Sequence, residues 1–189
     1  QAGSLYEDFF TGDVTVTANL INAGVEATTA SFRAPDVYAN KGVDGSDMDW
    51  TITRFALLDL DGDGADELVL AIDYSGEEEY VILTCYDGAV YANQVVHRGF
   101  LSPKADGTFE WSNGAFDNGA SRARFENGVL VYDDFAAMSE GSDGNAVYTL
   151  NGESIDEAAF SAFLDEQAAK DDLAWTEFSV DAVDAALAG

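Results

Sequence analysis

The chain of 189 residues carries 36 Asp and Glu against 8 Lys and Arg, a formal net charge of -28. That excess repels nucleic acid and anionic membrane and attracts divalent cations, while also keeping a folded surface solvated, as it would in a chain adapted to high salt. A content of 47% hydrophobic and 12% aromatic residues supplies enough apolar surface to offset the entropy of folding, which excludes a disordered chain.

The length fits a single domain over residues 1–189, and no composition break or Pro/Ser linker divides it. No apolar run reaches the roughly 18–20 residues of a membrane span. The start, Gln1-Ala-Gly-Ser4, has neither the basic region nor the apolar core of a signal peptide, which fits an exported chain already processed. Cys85 is the only cysteine, so no internal disulfide forms, and cysteine usage does not reveal the compartment.

In chain order, Ser4-Leu-Tyr-Glu7 has the form of a capping box and predicts a short helix ending near Gly12. Val14, Val16, Ala18 and Leu20 then alternate as a strand with one buried face requires. Residues 22–49 mix Gly, Ala, Thr and Asp without a period and read as a long irregular connection. Beyond Trp50 come β-prone runs separated by Asp-Gly and Asn-Gly pairs, the strongest local signal for tight hairpins. Tyr80 to Tyr86 and Ala89 to Val96 flank Asp87-Gly88, while Arg122 to Phe125 and Val129 to Phe135 flank Asn127-Gly128. Further pairs at Asp106-Gly107, Asn113-Gly114 and Asn118-Gly119 suggest a continuing meander.

Ser154-Ile-Asp-Glu157 reads as a second capping box leading into a helix over 155–169. Ser179 can cap a final helix over 179–188 that places Val180, Val183 and Leu187 on one face. The expected fold is α+β: a mainly antiparallel β-sheet meander with a short N-terminal helix and two C-terminal helices.

One stretch carries explicit chemistry. Between the apolar runs Phe55 to Leu58 and Leu68 to Ile72, Asp59, Asp61 and Asp63 occupy loop positions one, three and five of a D-x-D-x-D-G pattern, with Gly62 and Gly64 free to curl the chain inward. Carboxylates on every second residue can then converge on one cation, with the Ala65 carbonyl at position seven and Glu67 at position nine. Position twelve is Leu70, where a helix-loop-helix calcium site carries a bidentate Glu, so an EF-hand is not expected. The flanks read as strands, with Leu68, Leu70 and Ile72 on one buried face and Val69 and Ala71 on the other.

This segment resembles the D-x-D-G-D-G-x-x-E/D-L loop of FG-GAP and VCBS-type repeats, in which such a loop joins two strands and holds calcium. The resemblance covers little more than Phe55 to Ile72 and implies Asp59, Asp61, Asp63 and Glu67 as side-chain ligands and Ala65 as a carbonyl ligand. The other repeats of a propeller are missing. More loosely, the same run together with Tyr86-Asp-Gly, Arg98-Gly-Phe, Asp106-Gly-Thr-Phe-Glu-Trp and the late Phe160-x-x-Phe163 helix is similar to uncharacterised exported lipoprotein domains of Gram-positive bacteria. That similarity implies an extracellular or envelope-attached location and no established activity.

Catalytic patterns are sparse. His97 is the sole histidine, which excludes a multi-histidine zinc site, and Cys85 lies in the alternating run Val81-Leu83-Cys85 as a core thiol would. Glu77-Glu78-Glu79, Asp133-Asp134 and Asp171-Asp172 read as solvated turn edges, and Trp50, Trp111 and Trp175 as packing residues. The expectation is a calcium-stabilised, non-catalytic exported domain that serves recognition of a cell-surface glycan or protein, or envelope attachment. The alternative is a carbohydrate hydrolase built on two carboxylates, whose separation a sequence does not reveal.

Overall fold

A computed structural model describes residues 5, 6, 9, 15–22, 25–33, 50–95 and 98–188. The strands are β1 (Thr15–Asn22), β2 (Val25–Arg33), β3 (Trp50–Leu58), β4 (Glu67–Tyr74), β5 (Glu77–Tyr86), β6 (Ala89–Val95), β7 (Thr108–Gly114), β8 (Asp117–Glu126), β9 (Val129–Glu140), β10 (Ala146–Leu150) and β11 (Glu153–Ile155). Helix α1 (Glu157–Ala168), the two-residue β12 (Thr176–Glu177) and α2 (Val180–Leu187) complete the order. A seven-stranded sheet runs β12-β3-β4-β5-β6-β1-β2 and a five-stranded sheet runs β11-β10-β9-β8-β7.

The turn chemistry sets the antiparallel neighbours. Asp87-Gly88 and Asn127-Gly128 sit at φ of 50 and 75 and of 54 and 82, the paired positive angles of the turn whose twist matches the flanking strands. They join β5 to β6 and β8 to β9 as expected. Ser75-Gly76 and Asn151-Gly152 have the same paired angles and close β4–β5 and β10–β11, two hairpins the sequence reading passed over. Asn118-Gly119, by contrast, lies inside β8 and makes no turn. A Cβ on Gly119 would come within 2.2 Å of the Ala136 carbonyl on β9, so close approach of strands explains that glycine.

Other expectations need correction. Val25–Arg33, read as part of an irregular connection, is β2, a hairpin partner of β1. The meander is divided between two sheets, and β1 pairs in parallel with β6. Short turns govern only sequential neighbours; β1 and β6 are connected through β2 to β5, so their relative direction was never constrained by a turn. α1 starts later than its expected capping box: Ser154 lies in β11, and Asp156 caps by accepting from the Ala159 amide. Ser179 does cap α2, accepting from the Ala182 amide at 3.1 Å. The proposed N-terminal helix falls mostly outside the described residues.

Alternation along the central strands produces a layered core. Leu68, Leu70, Ile72, Val81 and Leu83 form one buried cluster with Tyr6, Phe9 and Val183 of α2. Val69, Ala71, Tyr80 and Ile82 face the other way and share a second cluster with Leu60, Phe100, Phe109, Ala123 and Leu130, which joins the two sheets. The far face of the five-stranded sheet, with Ala120 and Ala136, is covered by Phe160, Phe163 and Leu164 of α1. The order of layers is therefore α2, large sheet, small sheet, α1.

Between the sheets lies a fully buried polar connection. Asn93 on β6 accepts from Asn19 Nδ2 at 2.9 Å and from the Leu130 amide at 3.0 Å, and donates to the Gly128 carbonyl at 3.0 Å. It ties β1 and β6 to the β8–β9 hairpin and satisfies backbone groups that water does not reach.

Candidate metal centre

The acidic loop joins β3 to β4, which are held in register from Trp50↔Tyr74 to Leu58↔Glu67. Its curl is made by its own carboxylates. Asp59 Oδ1 accepts from the Gly62 amide at 2.8 Å and Asp59 Oδ2 from the Gly64 amide at 3.0 Å. Asp61 Oδ1 accepts from the Asp63 amide at 3.1 Å, and Asp63 Oδ1 from the Ala65 amide at 2.7 Å. Gly62 and Gly64 have φ of 79 and 90, angles at which a side chain would be strained.

Asp59, Asp61 and Glu67 each present an oxygen, and the three lie within 4.8 Å of one another. Two oxygens on a single calcium ion are at most about 5 Å apart, twice the coordination distance of about 2.3–2.6 Å, so one shell spans this group. Asp63 is outside the triad, its carboxylate turned to the Ala65 amide. Ala65 is exposed in the same loop. Leu70, at position twelve, is a core residue of β4.

Glu67 is the buried floor of the group at 4% exposure. Its Oε2 accepts from the Leu60 amide at 3.0 Å and its Oε1 from Thr84 Oγ1 at 3.1 Å. Burial pushes its carboxyl up to about 8; these two hydrogen bonds oppose the shift, and the charges of Asp61 and Asp63 reinforce it. Asp61 is also raised, by partial desolvation first and by the charges of Asp63 and Asp59, with backbone hydrogen bonds opposing. A cation would supply the positive charge that this set of oxygens lacks.

Three supporting residues escaped the sequence reading. Thr84 sits inside an apolar run of β5, where a hydroxyl is the only hint of a buried partner. Tyr6 donates to the Leu83 carbonyl at 3.0 Å and to the Asp66 carbonyl at 3.3 Å, bracing the end of the loop. Gly107, in the turn that leads into β7, packs against the loop: a Cβ there would lie 3.2 Å from the Leu60 carbonyl and 3.7 Å from that of Asp59. Spacing along the chain offers no signal for such a contact.

The remaining acids and aromatics fall into separate places. Glu77, Glu78, Asp133, Asp134, Asp171 and Asp172 are exposed as expected, but Glu79 is buried at 8% because its position on β5 turns it toward the α2 face. Cys85 packs against the core of that face, and burial raises its thiol. Trp111 is buried and donates to Asp134 at 3.0 Å. Trp175 stacks on Tyr80 beneath the Arg54 guanidinium, 4.4 Å from the ring centre. His97 lies outside the described residues, as does the side chain of Trp50.

Comparison of the chain with protein-family models, with curated proteins and with solved structures found no match.

Proposed function

We propose that the protein is an exported, calcium-stabilised domain without catalytic activity, serving recognition of a cell-surface glycan or protein or attachment in the cell envelope. The observation that carries the calcium reading is the convergence of Asp59, Asp61 and Glu67 within 4.8 Å in a loop whose sequence has calcium-ligand spacing. The net charge of -28 supports a cationic ligand over an anionic one. Calcium is favoured over magnesium because carboxylates and carbonyls drawn from an irregular loop suit its larger, irregular shell, whereas magnesium demands a small octahedral one and releases water reluctantly.

The test is paired calorimetry and thermal melting of the parent and of Asp61→Asn/Asp63→Asn after exhaustive chelation, with calcium and then magnesium restored. Calcium at 100 times its dissociation constant should stabilise the parent by about 2.7 kcal/mol if only the native loop binds it. The variant should gain less, and magnesium should do less in both. Equal melting responses in the two proteins, with no saturable calcium heat in the parent at millimolar ion, would reduce the loop to an acidic turn.

The competing carbohydrate-hydrolase reading needs two carboxylates facing a substrate, with the acid able to reach the leaving group. Glu67, the carboxyl pushed up to about 8, is 4% exposed and both its oxygens already accept hydrogen bonds inside the fold. Turnover of any member of a glycan panel, abolished by changing one carboxylate, would reverse this preference.

A further inference from the structure

We propose that occupancy of the Asp59–Glu67 loop is transmitted to the C-terminal end of α1, and that Leu60 and Gly107 are the point of transfer. The input rests on the calcium reading above; the relay itself rests on contacts that are present without an ion.

Leu60 is held at two ends. Its amide donates to the Glu67 carboxylate at 3.0 Å, and its side chain, 3% exposed, belongs to the core cluster that joins the sheets. Its carbonyl faces Gly107, whose φ is 78 and whose absent Cβ would lie only 3.2 Å away. The backbone of the turn that leads into β7 therefore meets the backbone of the loop with no compliant side chain between them. A shift of one displaces the other, because packed backbone deforms far less readily than a side chain rotates.

On its other side, the Gly107 turn is the dock for α1. Lys104 is buried and donates to the Ala168 carbonyl at 3.1 Å and to Asp172 at 2.6 Å, satisfying the helix end. The Ala105 amide bonds the Asp171 carbonyl at 2.9 Å, and the Leu173 amide bonds the Pro103 carbonyl at 3.0 Å. Thr108 receives Gln167 Nε2 at 2.8 Å. An ion that draws Asp59, Asp61 and Glu67 together would fix Leu60, and through it the turn and the helix end.

The experiment is amide hydrogen exchange on the full chain. Loop reporters are Gly62 and Gly64, dock reporters are Ala105 and Leu173, and the Asn151 amide, bonded to the Phe135 carbonyl, is the control. With calcium added to the parent, exchange at Ala105 and Leu173 should slow by about 5-fold or more, the lower end of ordinary coupling between sites. Asn151 should slow less. In ion-free buffer, Gly107→Ala should speed exchange at loop and dock together. If that variant fails to fold, Asp59→Asn serves, because it alters the loop and leaves the dock untouched; it too should loosen Ala105 and Leu173.

Saturable calcium heat with protection confined to the loop, or spread equally to Asn151, would overturn the relay and leave the calcium reading intact. Absence of calcium heat would overturn that reading, while the ion-free variants would still decide the relay. Loosening confined to one side of Gly107, or confined to the loop in Asp59→Asn, would overturn it.

Discussion

Asn93→Ala would leave the Leu130 amide and the Gly128 carbonyl buried without their partner, at a cost of about 1–3 kcal/mol for each group. Urea unfolding should show a lower midpoint at an unchanged slope, and a loss no larger than that of an exposed asparagine would disprove the clamp. Asp106 governs a different condition. Burial alone would raise its carboxyl, but hydrogen bonds from Lys170, the Thr108 hydroxyl and the Thr108 amide outweigh it and hold the group at about 2. An unfolded aspartate titrates near 3.9, so folding lowers this pKa. The resulting stabilisation is present above about pH 4 and is lost as pH falls through about 2. Asp106→Asn should flatten that part of the acid-unfolding profile, and an unchanged profile would show that solvent screens the Lys170 pair. Asn93 was invisible in the sequence as a clamp because its partners are 37 and 35 residues away, whereas Asp59 and Asp61 announced themselves by spacing alone.

The hairpins permit a controlled comparison at the level of elements. Gly88 and Gly128 occupy equivalent turn positions at φ of 75 and 82, but a Cβ on Gly88 meets nothing within 4 Å while one on Gly128 would come within 2.3 Å of the Tyr91 ring. Gly88→Ala should cost about 1–2 kcal/mol, the strain of a left-handed residue. Gly128→Ala should cost about 1–3 kcal/mol more through overpacking. Equal losses in thermal melts would mean that the Tyr91 ring moves aside freely. The backbone requirement was legible in Asp-Gly and Asn-Gly, since positive φ is a local demand. The ring above Gly128 was not, and neither was the role of Gly119, because both depend on what a different strand brings close.

For the molecule as a whole, Leu60, Ile82, Phe109 and Leu130 bury their side chains in one cluster drawn from both sheets. Denaturation should therefore be a single transition, with Trp111 and Trp175 fluorescence coincident with far-ultraviolet dichroism. Separate midpoints would divide the sheets into independent units. By itself the sequence determined the strand-rich α+β character, the tight hairpins at Asp87-Gly88 and Asn127-Gly128, the two late helices and the crowding of carboxylates in the 59–67 loop. Each follows from local chemistry: turn angles, a period of two along strands, helix caps, and ligand spacing within a few residues. Only the tertiary structure decided that the strands form two sheets, that β1 lies parallel to β6, that Asp59, Asp61 and Glu67 gather without Asp63, and that Gly107 abuts the loop. Those outcomes depend on which distant surfaces exclude water together, and hydrophobic burial carries no label in the sequence naming its partner.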